Sequence, residues 1–69
     1  MEWIRVDDGK PDKWIPVLVY YREDSYEKYG LAFLDWGNRW LYYNYPWKPP
    51  IRNVTHWAVL PAFPKKQEE

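Results

Sequence analysis

LAFLDWGNRWLYYN, residues 31–44, reads as two short strands joined by a turn. Gly37 and Asn38 both tolerate positive φ, so "GN" suits a two-residue hairpin connection. Because side chains alternate along a strand, Ala32, Leu34 and Trp36 share one face, and Leu31, Phe33 and Asp35 share the other. Asp35 marks its own face as wet, which makes the Ala32/Leu34/Trp36 face the core candidate. On the return strand, Trp40 and Tyr42 point one way and Leu41 and Tyr43 the other. Trp36 and one face of residues 40–43 are therefore expected in the core.

Working outward, the same alternation appears upstream. WIPVLVYYRE, residues 14–23, is the best strand in the chain. Pro16 has no N–H to give a ladder, so regular pairing is predicted to begin at Val17. Val17, Val19 and Tyr21 then line one face, and Leu18 and Tyr20 the other. WIRV at 3–6 is a first short strand, and DDGKPD at 7–12 is a turn. DSYEKYG at 24–30 is polar and ends in glycine, which reads as a loop or as one helical turn opened by Asp24 or Ser25. YPWKPP at 45–50 carries three prolines in six residues and is irregular. NVTHWAVL at 53–60 is a last strand.

Seven prolines and many aromatic and β-branched residues argue against long helices. The fold class expected is all-β, with at most one short helical turn: a small antiparallel meander or half-barrel of four to five strands. Residues 1–64 form one domain in this reading, and 65–69 a charged flexible tail.

Composition narrows the function. The chain has 69 residues, no cysteine, and ten basic residues against ten acidic ones. Zero net charge argues against tracking an extended nucleic acid, whose binding rests on excess positive charge. No stretch approaches the roughly 20 apolar residues of a spanning helix. No basic segment precedes an apolar run at the N-terminus, so a secretory signal is not expected. The expectation is a cytoplasmic protein with no membrane role. A disulfide framework is excluded. His56 is the lone histidine and cannot by itself build a zinc site. It reads as a half-buried ring making one hydrogen bond. Asp7, Asp8 and Asp12 do not follow a calcium-loop spacing. Ser25 is the lone serine, far in sequence from His56. No catalytic residue, metal ligand or cofactor is assigned, and the protein is not expected to be an enzyme.

What remains is the aromatic content, 22% of all residues. One core face cannot absorb every ring, so some belong to a binding surface or lie under another chain. Interfaces are enriched in Trp, Tyr and Arg. The candidate binding residues are Arg39, Trp40, Tyr43, Tyr45, Trp47 and Arg52. Tyr45, Trp47 and Arg39 sit beside turn residues, and Pro46, Pro49 and Pro50 stiffen their loop and lower the entropy lost on binding.

The opening EWIRV, the central VLVYY and the closing VTHWAVLPAFPK resemble the domain of unknown function 551 family, small proteins found largely in bacteriophages and prophages. The matching positions are Trp3, Ile4, Pro11, Val17, Leu18, Val19, Trp40, Thr55, His56, Trp57, Leu60, Pro61 and Pro64. The chain departs from that pattern in the segment KWI, residues 13–15, and in its aromatic middle. The resemblance implies no activity and no site residues. In the closing motif Thr55 and Trp57 are placed on one face, with Trp57 plugging the core and His56 turned away beside Ala58 and Leu60. The resemblance implies action inside an infected bacterium. The first expectation is a binding protein that inhibits a host protein, a defence effector being one class of target. The alternative is a protein that sequesters a nucleotide-derived host signal. In that case the rings stack the base, Arg39 or Arg52 meets phosphate, and a homo-oligomer completes the pocket.

Overall fold

A computed structural model describes residues 2–61 of the chain. Five strands, β1 (Ile4–Arg5), β2 (Val17–Glu23), β3 (Tyr26–Leu34), β4 (Trp40–Tyr42) and β5 (Val54–Ala58), form one antiparallel open sheet. Its order is β1-β5-β2-β3-β4. β2, β3 and β4 form the expected meander. β5 then returns along the far side of β2, and the two-residue β1 closes that edge. No helix forms among the described residues. The segment 65–69, expected to be a tail, and Pro64 lie outside the described residues.

Val17, Val19, Ala32 and Leu34 are almost completely buried, and with Tyr21, Trp40, Ile51 and Trp57 they make the core. β2 starts at Val17, as Pro16 requires. Among the described residues the core face has no second sheet above it, and two loops cover it instead. Pro11 of the 6–16 loop is buried, and Trp57 Nε1 donates to the Gly9 carbonyl at 2.9 Å, tying that loop to β5. The 43–53 loop returns Ile51 to the core, and the Ile51 N–H donates to the Trp40 carbonyl at 2.8 Å.

Three expectations need correction. DSYEKYG is neither a loop nor a helical turn. Asp24 and Ser25 adopt φ of 52° and 73°, and β3 begins at Tyr26. Two successive left-handed residues give the hairpin turn whose twist matches the flanking strands, so Glu23 pairs directly with Tyr26.

The second correction concerns the β3–β4 turn, which has three residues where two were expected. The Asn38 N–H donates to the Asp35 carbonyl at 3.0 Å, Asn38 sits at φ 61°, and the Asp35 N–H donates to the Arg39 carbonyl. This is a turn followed by a left-handed residue. It moves the register by one, so Leu34 faces Trp40. Trp36 falls on the turn and is 76% exposed, where the core was expected. Asp35 in turn is not wet but 3% exposed.

The third correction lies in β5. Tyr20 pairs with His56 but Tyr21 pairs with Val54, so Thr55 is an extra residue in a bulge. Thr55 therefore does not share the face of Trp57. Val54 and Trp57 both pack on the core, and Thr55 is exposed.

Candidate functional site: the open aromatic face

The second face of the sheet can be built from the register. Arg5 lies beside His56, and His56 beside Tyr20, which faces Tyr29. One row further, Ala58 lies beside Leu18, and Leu18 beside Leu31. The Tyr43 N–H donates to the Leu31 carbonyl, which extends this row to Tyr43. In the third row Phe33 faces Leu41. Three consecutive rows thus carry one charged residue, Arg5. An antiparallel sheet with a single buried face ordinarily turns polar side chains outward. Here these rows carry rings and aliphatics, and the next row on the same face is charged, with Arg22 opposite Glu27.

The rings gather in two clusters. Trp3 lies 6.0 Å from Tyr29, nearly parallel at 18°, and meets Tyr20 and His56 edge-on at 6.2 and 6.4 Å. Tyr20 contacts His56 at 5.7 Å and Tyr29 at 6.0 Å. These four residues line a shallow pocket of about 240 Å³. His56 is half-buried, and its Nδ1 lies 2.8 Å from the Thr55 hydroxyl. In the second cluster Phe33 is flanked by Trp14 at 5.3 Å and Tyr43 at 6.1 Å. Desolvation, and then the Glu27 carboxylate, hold the Tyr20 phenol above its ordinary pKa.

Trp14 reaches this face at a cost. Its φ is 67°, a left-handed value that bulky residues rarely adopt. The Trp14 N–H donates to the Leu34 carbonyl at 2.9 Å, which holds the backbone there, and its ring packs on Phe33. Strain of this kind persists only where surrounding contacts over-determine it.

The candidate binding residues scatter. Trp40 is 8% exposed and belongs to the core, so it presents nothing to a partner; the shifted hairpin register places it against Leu34. Arg39 is committed to the turn. Its N–H donates to Asp35 Oδ1 at 2.9 Å, its Nε donates to Asp35 Oδ2 at 2.9 Å, and a guanidinium nitrogen lies 2.7 Å from the same Oδ2. The Arg39 amide, the Arg39 side chain and the Gly37 amide hold the Asp35 carboxyl below the usual range, although burial opposes them. Tyr43 is on the aromatic face.

Tyr45 and Trp47 come together elsewhere, edge-on at 5.8 Å in the 43–50 loop. Two successive turns build that loop, with the Tyr45 N–H on the Tyr42 carbonyl and the Lys48 N–H on the Tyr45 carbonyl. Lys48 Nζ sits 4.6 Å over the Tyr45 ring and 5.7 Å over Tyr42. Arg52 lines an adjacent cavity of about 440 Å³ with Tyr21, Tyr42 and Lys48. Burial, and then Tyr42, push the Tyr21 phenol up.

The sequence reading missed Trp3, Trp14, Tyr20 and Tyr29 as surface residues. A signal existed: Val17, Val19 and Tyr21 share one face of β2 and Tyr20 lies on the other, and the all-apolar start of the first marks it as the core face. Tyr29 was lost with the strand that DSYEKYG conceals.

Fold and site together define a small single-sheet antiparallel β domain, loop-covered on one face and ring-covered on the other. Residues 2–65 match the family described as protein of unknown function (DUF551). The chain belongs to that family, as its closing motif suggested. No curated protein and no solved structure matches it.

Proposed function

We propose that this is a non-catalytic binding protein whose open aromatic face seats against a partner protein. One observation supports this most: three adjacent rows of the outward face carry rings and aliphatics where a solvated sheet would carry polar groups. Contiguous apolar patches of this kind mark interaction sites. With strands about 4.8 Å apart and same-face side chains about 6.6 Å apart, the ten positions of these rows cover roughly 320 Å² in projection. Trp3, Trp14 and the relief of the rings enlarge that to the centre of a standard interface of about 800 Å² per partner. The rings are mostly Tyr and Trp, which keep a polar atom each and so suit a surface that is wet when free and dry when bound. That favours a separate partner over a permanent homodimer, whose interface is more uniformly apolar. In a phage setting the partner is a host protein, a defence effector being the leading class, and the site of action is the bacterial cytoplasm.

The test places charge on the face. Tyr29→Glu with Tyr43→Glu should abolish retention of the partner from host lysate and abolish any protective effect in the host. Trp47→Glu, on the separate loop, should leave both intact. A partner held equally by the Tyr29/Tyr43 variant would overturn the reading. So would light scattering that finds the wild-type face closed in a stable homo-oligomer.

A second reading is favoured by one specific observation, the cavity of about 440 Å³ beside Lys48 and Arg52. Arg22, Lys48 and Arg52 line it beside the Tyr42 ring, with Glu23 and Asp24 on its rim, and those cations suit a nucleotide-derived ligand. Such a ligand would raise the melting temperature by mass action, and Arg52→Gln would remove that rise.

A further inference from the structure

We propose that the outer edge of β3 pairs with the same edge of a second copy of this chain, so that two sheets join into one. The proposal goes beyond the interface reading above and does not depend on it. β3 runs from Tyr26 to Leu34, yet β4 pairs only with its last residues, Ala32, Phe33 and Leu34. The Tyr43 N–H adds one bond to the Leu31 carbonyl at 3.0 Å. Tyr26 to Tyr29 are exposed, Tyr26 at 71% and Tyr29 at 66%. Glu23 and Tyr26 close the tight hairpin, so Tyr26, Lys28 and Gly30 turn their N–H and C=O groups toward β2. Glu27, Tyr29 and Leu31 turn theirs away from β2, as the Tyr43 bond to Leu31 shows. Glu27 and Tyr29 thus aim ladder groups at the open side, and no group among the described residues pairs with them there. Such an edge is a template for another strand.

The edge is self-complementary, which commits it to a second copy. A twofold antiparallel pair can centre on Tyr29, on Glu27 or on Lys28. Centring on Tyr29 needs the Leu31 carbonyl, which Tyr43 already holds. Centring on Glu27 sets two carboxylates opposite each other and runs into the left-handed Asp24–Ser25 turn. Centring on Lys28 avoids both. It sets Glu27 of each copy opposite Tyr29 of the other, and each of these pairs exchanges both ladder bonds. The two Lys28 side chains meet at the axis, each with its charge matched, since Lys28 Nζ lies 2.6 Å from Glu23 Oε1. Tyr26 falls opposite Gly30 of the second copy. A Cβ added to Gly30 would meet the Tyr21 ring at 3.6 Å and nothing closer. The Tyr26 ring therefore has room, and an aromatic beside an edge glycine pins register. The ring and the missing side chain come from one short stretch, as a twofold contact requires.

The twofold axis stands normal to the sheet, so both ring faces look the same way and stay open. Two copies side by side carry about 640 Å² of the apolar rows in projection. That is about twice the area of one copy and approaches the roughly 800 Å² of a standard interface.

The chain has no cysteine of its own, so one introduced thiol reports the axis. Residues opposite each other in a non-hydrogen-bonded antiparallel pair hold their Cα atoms about 4.5 Å apart, within the span of a disulfide. Under mild oxidation of the full chain, Lys28→Cys should therefore form a covalent dimer. Tyr29→Cys and Trp47→Cys, whose thiols lie away from the axis, should form little. Light scattering of the wild type over a concentration series should find the mass rising toward twice that of one chain. Glu27→Pro removes an outward N–H and leaves the bonds to β2 in place, a change that edge strands tolerate. It should lose the mass increase while its far-UV circular dichroism stays that of the folded protein. If it unfolds instead, the crosslinking contrast still decides. A wild type that stays monomeric at every concentration would overturn the pairing, as would Lys28→Cys that crosslinks no more than Trp47→Cys. A monomeric wild type that nonetheless holds its partner would refute the pairing and keep the interface reading. An edge-paired dimer that holds no partner would do the reverse.

Discussion

Trp40 and Trp47 lie seven residues apart in one aromatic run, and the structure gives them opposite fates. Trp40 is 8% exposed, faces Leu34 across the hairpin and bridges to Ile51. Trp47 is 76% exposed and touches Tyr45 edge-on at 5.8 Å. Removing a buried Trp side chain costs about 3–5 kcal/mol. A domain of this length holds only about 3–10 kcal/mol in total, at roughly 0.05–0.15 kcal/mol per residue. Trp40→Ala therefore removes about a third of the stability or more. With about 4–8 °C per kcal/mol in a domain of this size, its melting midpoint should fall by roughly 12–40 °C. Trp47→Ala forfeits one solvent-exposed ring pair. Surface changes of that kind stay within about 0.5 kcal/mol, so the midpoint should move by a few degrees at most. Far-UV circular dichroism measures both, and urea midpoints check them. Tryptophan fluorescence is the poorer probe, since each substitution removes one of the six tryptophans and changes the baseline between variants. The reasoning fails if Trp47→Ala unfolds the protein, because the 43–50 loop would then be core. It fails equally if Trp40→Ala melts like wild type.

Two further substitutions probe the turns and strands. Asp35 has its pKa lowered chiefly by the Arg39 amide and side chain, so its contribution is complete above the unfolded-state value near 3.9 and fades as pH falls through the depressed folded value. Acid melting should therefore show a drop below about pH 4 in wild type that is smaller in Asp35→Asn, and parallel profiles for the two would refute the assignment. Gly30 sits mid-strand, and a Cβ added there would meet the Tyr21 ring at an ordinary contact distance of 3.6 Å. Gly30→Ala should accordingly stabilise by about 0.5–1 kcal/mol, because glycine loses more backbone freedom on folding; a lower urea midpoint would show that the Tyr21 ring needs the gap.

The fold was legible wherever period-two alternation was backed by a strong boundary. Val17, Val19 and Tyr21 were placed correctly because Pro16 fixes where the ladder starts. Trp57 was placed correctly because its strand carries Thr, Val and Trp together. Legibility failed at the turns, where local side-chain chemistry decides register. Asp24-Ser25 lacks the Asn-Gly or Asp-Gly signature, yet both residues adopt left-handed φ. The Gly37-Asn38 pair carries the signature but is only part of a longer turn, because Asp35 Oδ1 accepts from the Gly37 and Arg39 amides, both at 2.9 Å. That one buried carboxylate shifts the register by a residue, sends Trp36 to solvent and brings Trp40 inward. Trp14 was illegible for a related reason: nothing in KWI announces a left-handed tryptophan.

The sorting of the two faces has a physical logic that bears on function. Among the described residues the core face is closed by loops. Its centre is built from Val17, Val19, Ala32 and Leu34, which carry no polar atoms needing a partner, while the polar atoms of Tyr21, Trp40 and Trp57 lie around it and the Trp57 indole donates to the Gly9 carbonyl. The opposite face has no cover among the described residues, so its side chains must shield one another. Rings do this well: a Trp3 that reaches Tyr20, Tyr29 and His56 covers parts of three strands at once. The same rings stabilise the free sheet and form the surface offered to a partner. Truncation to alanine therefore conflates the two roles. Adding charge at the exposed Tyr29 or Tyr43 separates them, because a carboxylate there stays solvated in the free protein and is buried only when the face is covered.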